Sequence, residues 1–226
     1  MPFKRKNCES INSRKRKEML KKYKPYLLYF LILVYVSGSI GFVVNPAFFS
    51  PFTPYTLLLS CFVFLIHSPL TDKKFLTAFF SIALLGFIIE VIGVKTGLIF
   101  GKYSYGNGLG VKLLEVPLII SINWAMLICA GIRIVSSIFA NKTIVLLVAA
   151  LLVTLIDLII EQVAPKLDFW QFEDGLPGLH NYIGWIGVAF FTSYFFYPTI
   201  IKGNRNVSLL LLILQIIFFT TLFIFI

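Results

Sequence analysis

The sequence predicts an all-α integral membrane protein of about seven transmembrane helices, and three observations carry that reading. Of its 226 residues 58% are apolar and only 13% charged, and the mean hydropathy of +0.90 lies far outside the range of soluble domains. Seven windows are apolar enough, some of them only marginally, for a crossing that takes about 20 helical residues. The basic residues collect at alternate ends of those windows, as they do where a chain weaves through a bilayer.

A basic arm, MPFKRKNCESINSRKRKEMLKKYK, occupies residues 1–24. It is too long and polar for a removable signal and lacks a small-residue cleavage site, so the first span, 25–44, is expected to stay as an anchor. The other windows fall at 54–70, 75–94, 116–132, 143–164, 182–201 and 207–226, giving one transmembrane domain over 25–226. Ten of the 20 basic residues lie in the arm; with Lys73, Lys74, Arg133, Lys142, Lys202 and Arg205, sixteen share its side. Lys95, Lys102, Lys112 and Lys166 make up the four on the other side. The positive side faces the cytoplasm. The expected location is therefore the cell membrane, with the N-terminus cytoplasmic and the loops near 95–115 and 165–181 external.

Charge and cysteines narrow the function classes. The net charge of +10 invites nucleic acid as a partner, but it is concentrated in a juxtamembrane arm with no accompanying fold. Such arms set topology and touch anionic lipid, so membrane lipid is the expected partner and nucleic acid is not. Cys8, Cys61 and Cys129 fall in three separate segments, and the only histidines are His67 and His180; no metal-ligand cluster emerges from that spacing. The run GNGLG (residues 106–110) lacks both the spacing and the strand-to-helix context of a phosphate loop.

The strongest local signal is a doubled pattern. EVIGVKTGLIFGKYSYGNG (residues 90–108) and DLIIEQVAPKLDFWQFEDG (residues 157–175) align without a gap at an offset of 67, pairing Glu90 with Asp157, Tyr103 with Trp170 and Tyr105 with Phe172. Each copy sets an acid inside an apolar helix before an aromatic, glycine-rich loop. The expected architecture is thus a two-helix repeat, spans 3–4 matching spans 5–6 without inversion. Ionisable groups at membrane depth are costly and read first as functional. Asp157 and Glu161 are four residues apart and share a helix face; Glu90 lies about 6 Å from the loop end of its helix. All three can enter one cavity, and no helix interior supplies a basic partner for them. Gly93, Gly97 and Gly101 form a row at four-residue intervals that would let another helix approach closely.

The loops alternate aromatic and polar residues before turning on glycine, which points to short extended pieces. Tyr103, Tyr105 and Trp170 then lie on one side, as lining of the cavity or as an interfacial aromatic belt. After each loop come a proline and a polar and aromatic pair: Pro117 with Asn123 and Trp124, Pro177 with Asn181 and Trp185. A buried Asn needs hydrogen-bond partners; Asn123 can orient a carboxyl or a water, or simply bridge two helices. The catalytic candidates are Glu90, Asp157 and Glu161, and the substrate-binding candidates are Tyr103, Tyr105, Asn123, Trp124, Trp170 and Asn181.

The run ExxGxxTGxxFGxYxY (residues 90–105), followed by GVKLLEVP (residues 110–117), NW and the D-x12-W-x-F-x-D-G stretch (residues 157–175), resembles the bacterial and archaeal membrane carotenoid-biosynthesis protein family. That family includes hydratases of the carotenoid 1',2'-hydratase and bisanhydrobacterioruberin hydratase type. The resemblance covers about residues 75–200. It implies a lipid-soluble carotenoid and water as substrates, no cofactor, and addition of water across a terminal C=C of an acyclic carotenoid end.

That chemistry suits the acids. Protonation of an unactivated alkene needs a strong donor, and desolvation disfavours a carboxylate, so Glu90 or Asp157 can hold a proton as general acid while another carboxyl serves as base. The faces of Tyr103, Tyr105, Trp124 or Trp170 can stabilise a transient cation. Two other classes fit the same residues: a carotenoid cyclase using the same acid-initiated cation, and a proton-coupled transporter with Glu90 and Asp157 as relay. A repeat without inversion speaks against transport. A retinal protein would need a Schiff-base lysine in its last span, and residues 207–226 have none.

Overall fold

The computed structural model describes residues 2–226, with side chains from Lys22 onward; the side chains of the basic arm before it, Cys8 included, lie outside the described residues. Among the described residues, seven helical segments are long and apolar enough to cross a membrane, so the chain is a multi-pass, mostly helical membrane protein. The elements in chain order are α1 (Pro2–Val44), α2 (Pro46–Phe49), a 3-10 turn (Ser50–Phe52), α3 (Thr53–Ile66), α4 (Lys73–Thr96), β1 (Tyr103–Tyr105), β2 (Lys112–Leu113) and β3 (Val116–Pro117). There follow α5 (Leu118–Val135), α6 (Lys142–Glu161), a 3-10 turn (Pro165–Leu167), β4 (Trp170–Phe172), α7 (Leu179–Ile200) and α8 (Arg205–Phe225).

Side chains at the helix starts explain where these elements begin. Asn45, Asp72, Asn141 and Asn204 each accept a hydrogen bond from the first turn of the helix that follows, satisfying amides that have no partner within the helix. The second span differs from the 54–70 expected: it runs over Pro46–Ile66 as α2, the 3-10 turn and α3. Prolines 46, 51 and 54 each sit in the first positions of a short helical piece, where a missing amide costs nothing, so the chain turns helical before the apolar window begins. The fourth, fifth and sixth spans likewise shift by a few residues, to Leu118–Val135, Lys142–Glu161 and Leu179–Ile200.

Packing makes α5 the centre. Within its most apolar window 83% of the residues are buried, against 22% for α7, and α3, α4, α6, α7 and α8 all pack on it. Met126, Ile128 and Ile132 are completely enclosed, while the outer helices turn Leu84, Leu155, Phe191 and Phe195 outward, the arrangement expected where the surroundings are lipid. At the end of α5 away from β1 and β4, Arg133 turns inward rather than out to a loop. Its Nε donates to the Ile200 carbonyl (3.1 Å) and its Nη1 to Ser68 Oγ (2.9 Å), and its guanidinium lies 4.4 Å from the Phe64 ring centre.

Two expectations change at the other end. The row Gly93, Gly97, Gly101 is not a helix-packing seam: α4 stops at Thr96, Gly97 takes the left-handed conformation (φ 67°) that terminates it, and Gly101 (φ 92°) lies in the loop. Only Gly93 is helical, and it makes room for Phe100 and Tyr103 of the protein's own loop, which an added Cβ would meet at 2.7 and 3.2 Å. The two aromatic loops, expected as short extended pieces, are extended and pair with each other. β1 and β4 run antiparallel with Tyr103 opposite Phe172, Ser104 opposite Gln171 and Tyr105 opposite Trp170. Ser104 thus faces its own counterpart 67 positions on, and Tyr103 and Tyr105 each face the counterpart of the other, the register of a local two-fold axis between Ser104 and Gln171.

Candidate active site

Beneath this ladder lies a cavity bounded by α4, α5, α6 and α7. α4 contributes Glu90; β1 Tyr103 and Tyr105; α5 Asn123 and Trp124; α6 Asp157 and Glu161; β4 Trp170; and α7 Asn181. All nine residues singled out in the sequence therefore line one space. Phe100, Phe172 and Trp185, with the aliphatic Ile120, Leu127, Val153 and Ile160, complete the wall.

Glu90 is buried, and two hydroxyls hold it. Alternation along β1 puts Tyr103 and Tyr105 on one side, and their hydroxyls donate to the same oxygen, Glu90 Oε2, at 2.5 and 2.9 Å. Burial pushes both phenols well above their ordinary range, and the Glu90 carboxyl raises them further, so both keep their protons and act only as donors here. Two donors on Oε2 leave Oε1 for the cavity. A lysine steadies this arrangement, Lys112 Nζ donating to the Tyr105 carbonyl at 2.8 Å.

Glu161 is treated in the same way. It is the last residue of α6, where α7 begins beside it: Asn181 Nδ2 donates to Oε1 and the Tyr182 hydroxyl to Oε2, both at 2.6 Å. Asp157, one turn earlier on the same face, has no hydroxyl or amide donor among the described residues: its Oδ2 is sealed from solvent without a donor, and its polar neighbour is the Glu161 carboxyl, to which it can bond only when one of the two carries a proton. A buried polar atom left without a partner is costly and calls for an explanation. Of three carboxyls in one cavity, two are each fixed by a pair of donors and one is not.

Much of the remaining wall is aromatic. Trp185 stacks on Phe100 (5.1 Å between centres, 24°) and lies 5.5 Å from Trp124, while Tyr105 meets Trp170 edge-on at 6.2 Å. Ring faces around a closed space attract a cation. Asn123 accepts from Gln215 Nε2 of α8 at 2.9 Å. Gln215 and Tyr182 escaped the sequence reading. Gln215 was visible only as an amide in the middle of the last apolar span, and Tyr182 only as the neighbour of Asn181.

A strap of backbone bonds closes the site. Beyond the ladder, Gly106 and Gly108 donate to the carbonyls of Phe169 and Asp168 (2.9 and 2.8 Å), and the Asn107 amide donates to Asp168 Oδ2 (2.7 Å). At Gly106 the approach is so close that an added Cβ would meet Asp168 Oδ1 at 2.0 Å and its carbonyl at 2.4 Å. Gly106→Ala is expected to cost about 1–3 kcal/mol, the usual range for overpacking. The checks are a lowered melting temperature in detergent and faster proteolysis within 100–110 and 165–175; an unchanged melting curve would mean the loops carry no closing strain.

Comparison with known proteins bears on the same region. Residues 52–226 match the family described as carotenoid biosynthesis protein. Over 149 residues the chain is 31% identical to a bisanhydrobacterioruberin hydratase from Haloarcula japonica, covering 60% of this chain and 50% of that protein. The chain thus spans about half the length of the curated relative it matches. No solved structure matches it. Every residue lining the cavity lies inside the family match, and the chain belongs to the carotenoid biosynthesis protein family.

Proposed function

We propose that the protein adds water across a terminal C=C of an acyclic carotenoid end, with Asp157 as general acid and Glu90 as general base. The observation that carries this reading is the unequal hydrogen bonding of the three carboxyls. Glu90 and Glu161 each accept two donors, which suits the ionised form. Asp157 has a sealed, unpartnered oxygen, and a proton removes the charge that would otherwise stand there uncompensated.

In the first step the Asp157 O–H bond breaks and a C–H bond forms at the less substituted alkene carbon, leaving a tertiary carbocation. The rings of Trp124, Trp170 and Trp185 face that charge. Water then forms the C–O bond, and its proton passes to Glu90 Oε1. Hydration is proton-neutral overall, so transfer of that proton back to Asp157 restores the site. The chemistry calls for no cofactor. The carotenoid arrives laterally from the lipid and the water from the loop side.

Expressing the full chain in a strain that makes an acyclic or monocyclic carotenoid, and analysing the pigments with and without it, tests this function. A hydroxylated carotenoid only in the presence of the chain supports it; a cyclised product of unchanged composition would point to a cyclase, and unaltered pigment would remove both. Tyr105→Phe takes away one of two donors to a charged group, worth about 1.5–3 kcal/mol, so hydration is expected to fall roughly ten- to hundredfold. Glu161→Gln keeps a hydrogen-bonding side chain beside Asp157 and is expected to cost less than the Asp157 and Glu90 substitutions. The proposed placement in the cell membrane, N-terminus cytoplasmic, rests on the sixteen-to-four distribution of basic residues. A C-terminal reporter that works only outside the cytoplasm is the expected result, and cytoplasmic activity would reverse it.

A further inference from the structure

We infer that Gln215 is a positioning residue, which fixes Asn123 as the donor that holds the attacking water. The inference rests on the hydration reading and adds to it a residue from a helix that does not line the cavity. Most donors near the acids are already engaged: Tyr103 and Tyr105 with Glu90, Asn181 and Tyr182 with Glu161. Asn123 is different. Its Oδ1 accepts from Gln215 Nε2, and since no residue of α8 reaches the cavity, that oxygen is turned away from it. The amide nitrogen, on the opposite side of the same planar group, is turned toward it and makes no hydrogen bond among the described residues.

The two faces of an asparagine amide have opposite chemistry, one donor and one acceptor. Gln215 decides which the cavity sees. It is itself completely buried, and it meets Asn123 with its donor nitrogen while its Oε1 has no partner among the described residues. With Asn123 held this way, an N–H of Nδ2 binds a lone pair of water, the water's proton points to Glu90 Oε1, and its second lone pair is left for the cation. Freed from Gln215, the amide can turn over and present Oδ1. Water is then oriented wrongly, and the tertiary cation can decay instead by breaking a C–H bond of a terminal methyl group. That proton goes to the base, and an exo-methylene isomer forms with no gain of water.

The ratio of hydrated carotenoid to exo-methylene isomer therefore reads the role of Gln215 independently of how much protein is made. With the full chain in membranes and an acyclic carotenoid as substrate, Gln215→Leu is expected to lower that ratio about tenfold, the size of one well-placed hydrogen bond. Gln215→Glu, which as a neutral acid still donates to Asn123 Oδ1, is expected to restore most of it; Asn123→Asp, which removes the donor, is expected to lower it at least as far as Gln215→Leu. If Gln215→Leu accumulates too poorly to assay, Gln215→Met replaces it, keeping the length without the amide. Wild-type hydration with an unchanged ratio in Gln215→Leu or Gln215→Met would make the contact a packing bond only and overturn this inference alone. A wild type that yields no hydrated carotenoid overturns the hydration reading, and this inference with it.

Discussion

Asp157→Asn is expected to abolish hydration while the protein still accumulates in the membrane. The substitution preserves volume and hydrogen-bonding capacity but replaces the acid by a group that has no proton to give. Removal of a general acid typically costs 10²–10⁴-fold in rate, and the high end is expected because protonating an unactivated alkene is the difficult step. Stability should move the other way or not at all. Asp157 Oδ2 is a buried oxygen without a partner, and a neutral amide there carries no charge to strand. Loss of product at a normal or raised melting temperature identifies chemistry; loss of both together would mark Asp157 as a structural residue.

Glu90→Gln is expected to be nearly as severe, for a different reason. The amide oxygen of Gln can still accept from Tyr103 and Tyr105, so the short contacts to Oε2 have a substitute and the strap above the site stays in place. The group facing the cavity becomes an NH₂, which takes no proton from water. The expected fall is again 10²–10⁴-fold, but the cation can still form. Exo-methylene carotenoid in Glu90→Gln, where the methyl proton returns to the Asp157 carboxylate left by the first step, and none in Asp157→Asn would separate base from acid. The reverse pattern would exchange the two roles.

How much of this was legible in the sequence varies with the range of the interaction. Acids inside apolar windows stand out against their background, so Glu90, Asp157 and Glu161 could be read directly, as could Tyr103 and Tyr105 from two-residue alternation. Which tyrosine bonds which acid could not be read, because it depends on α4 ending at Gly97 and the chain doubling back over Glu90. The same turn misled the reading of Gly97 and Gly101: four-residue spacing persists in the letters after the helix has stopped. The offset of 67 placed the two loops as copies, yet their pairing across the ladder is a tertiary fact that a local pattern does not contain. Gln215 lies 92 residues from Asn123, and only packing of α8 on α5 brings them together. Short-range chemistry was thus visible, and long-range partnership was not.

In the proposed reaction this cavity delivers a proton and a water molecule to one alkene. The most direct measurement uses membranes containing the full chain, an acyclic carotenoid and water enriched in heavy oxygen, with wild type and Asp157→Asn compared by mass spectrometry. Wild type is expected to give a carotenoid that has gained one water carrying the label at a tertiary alcohol, and Asp157→Asn none. Labelled alcohol from both proteins alike, or pigment without label from the wild type, would contradict it.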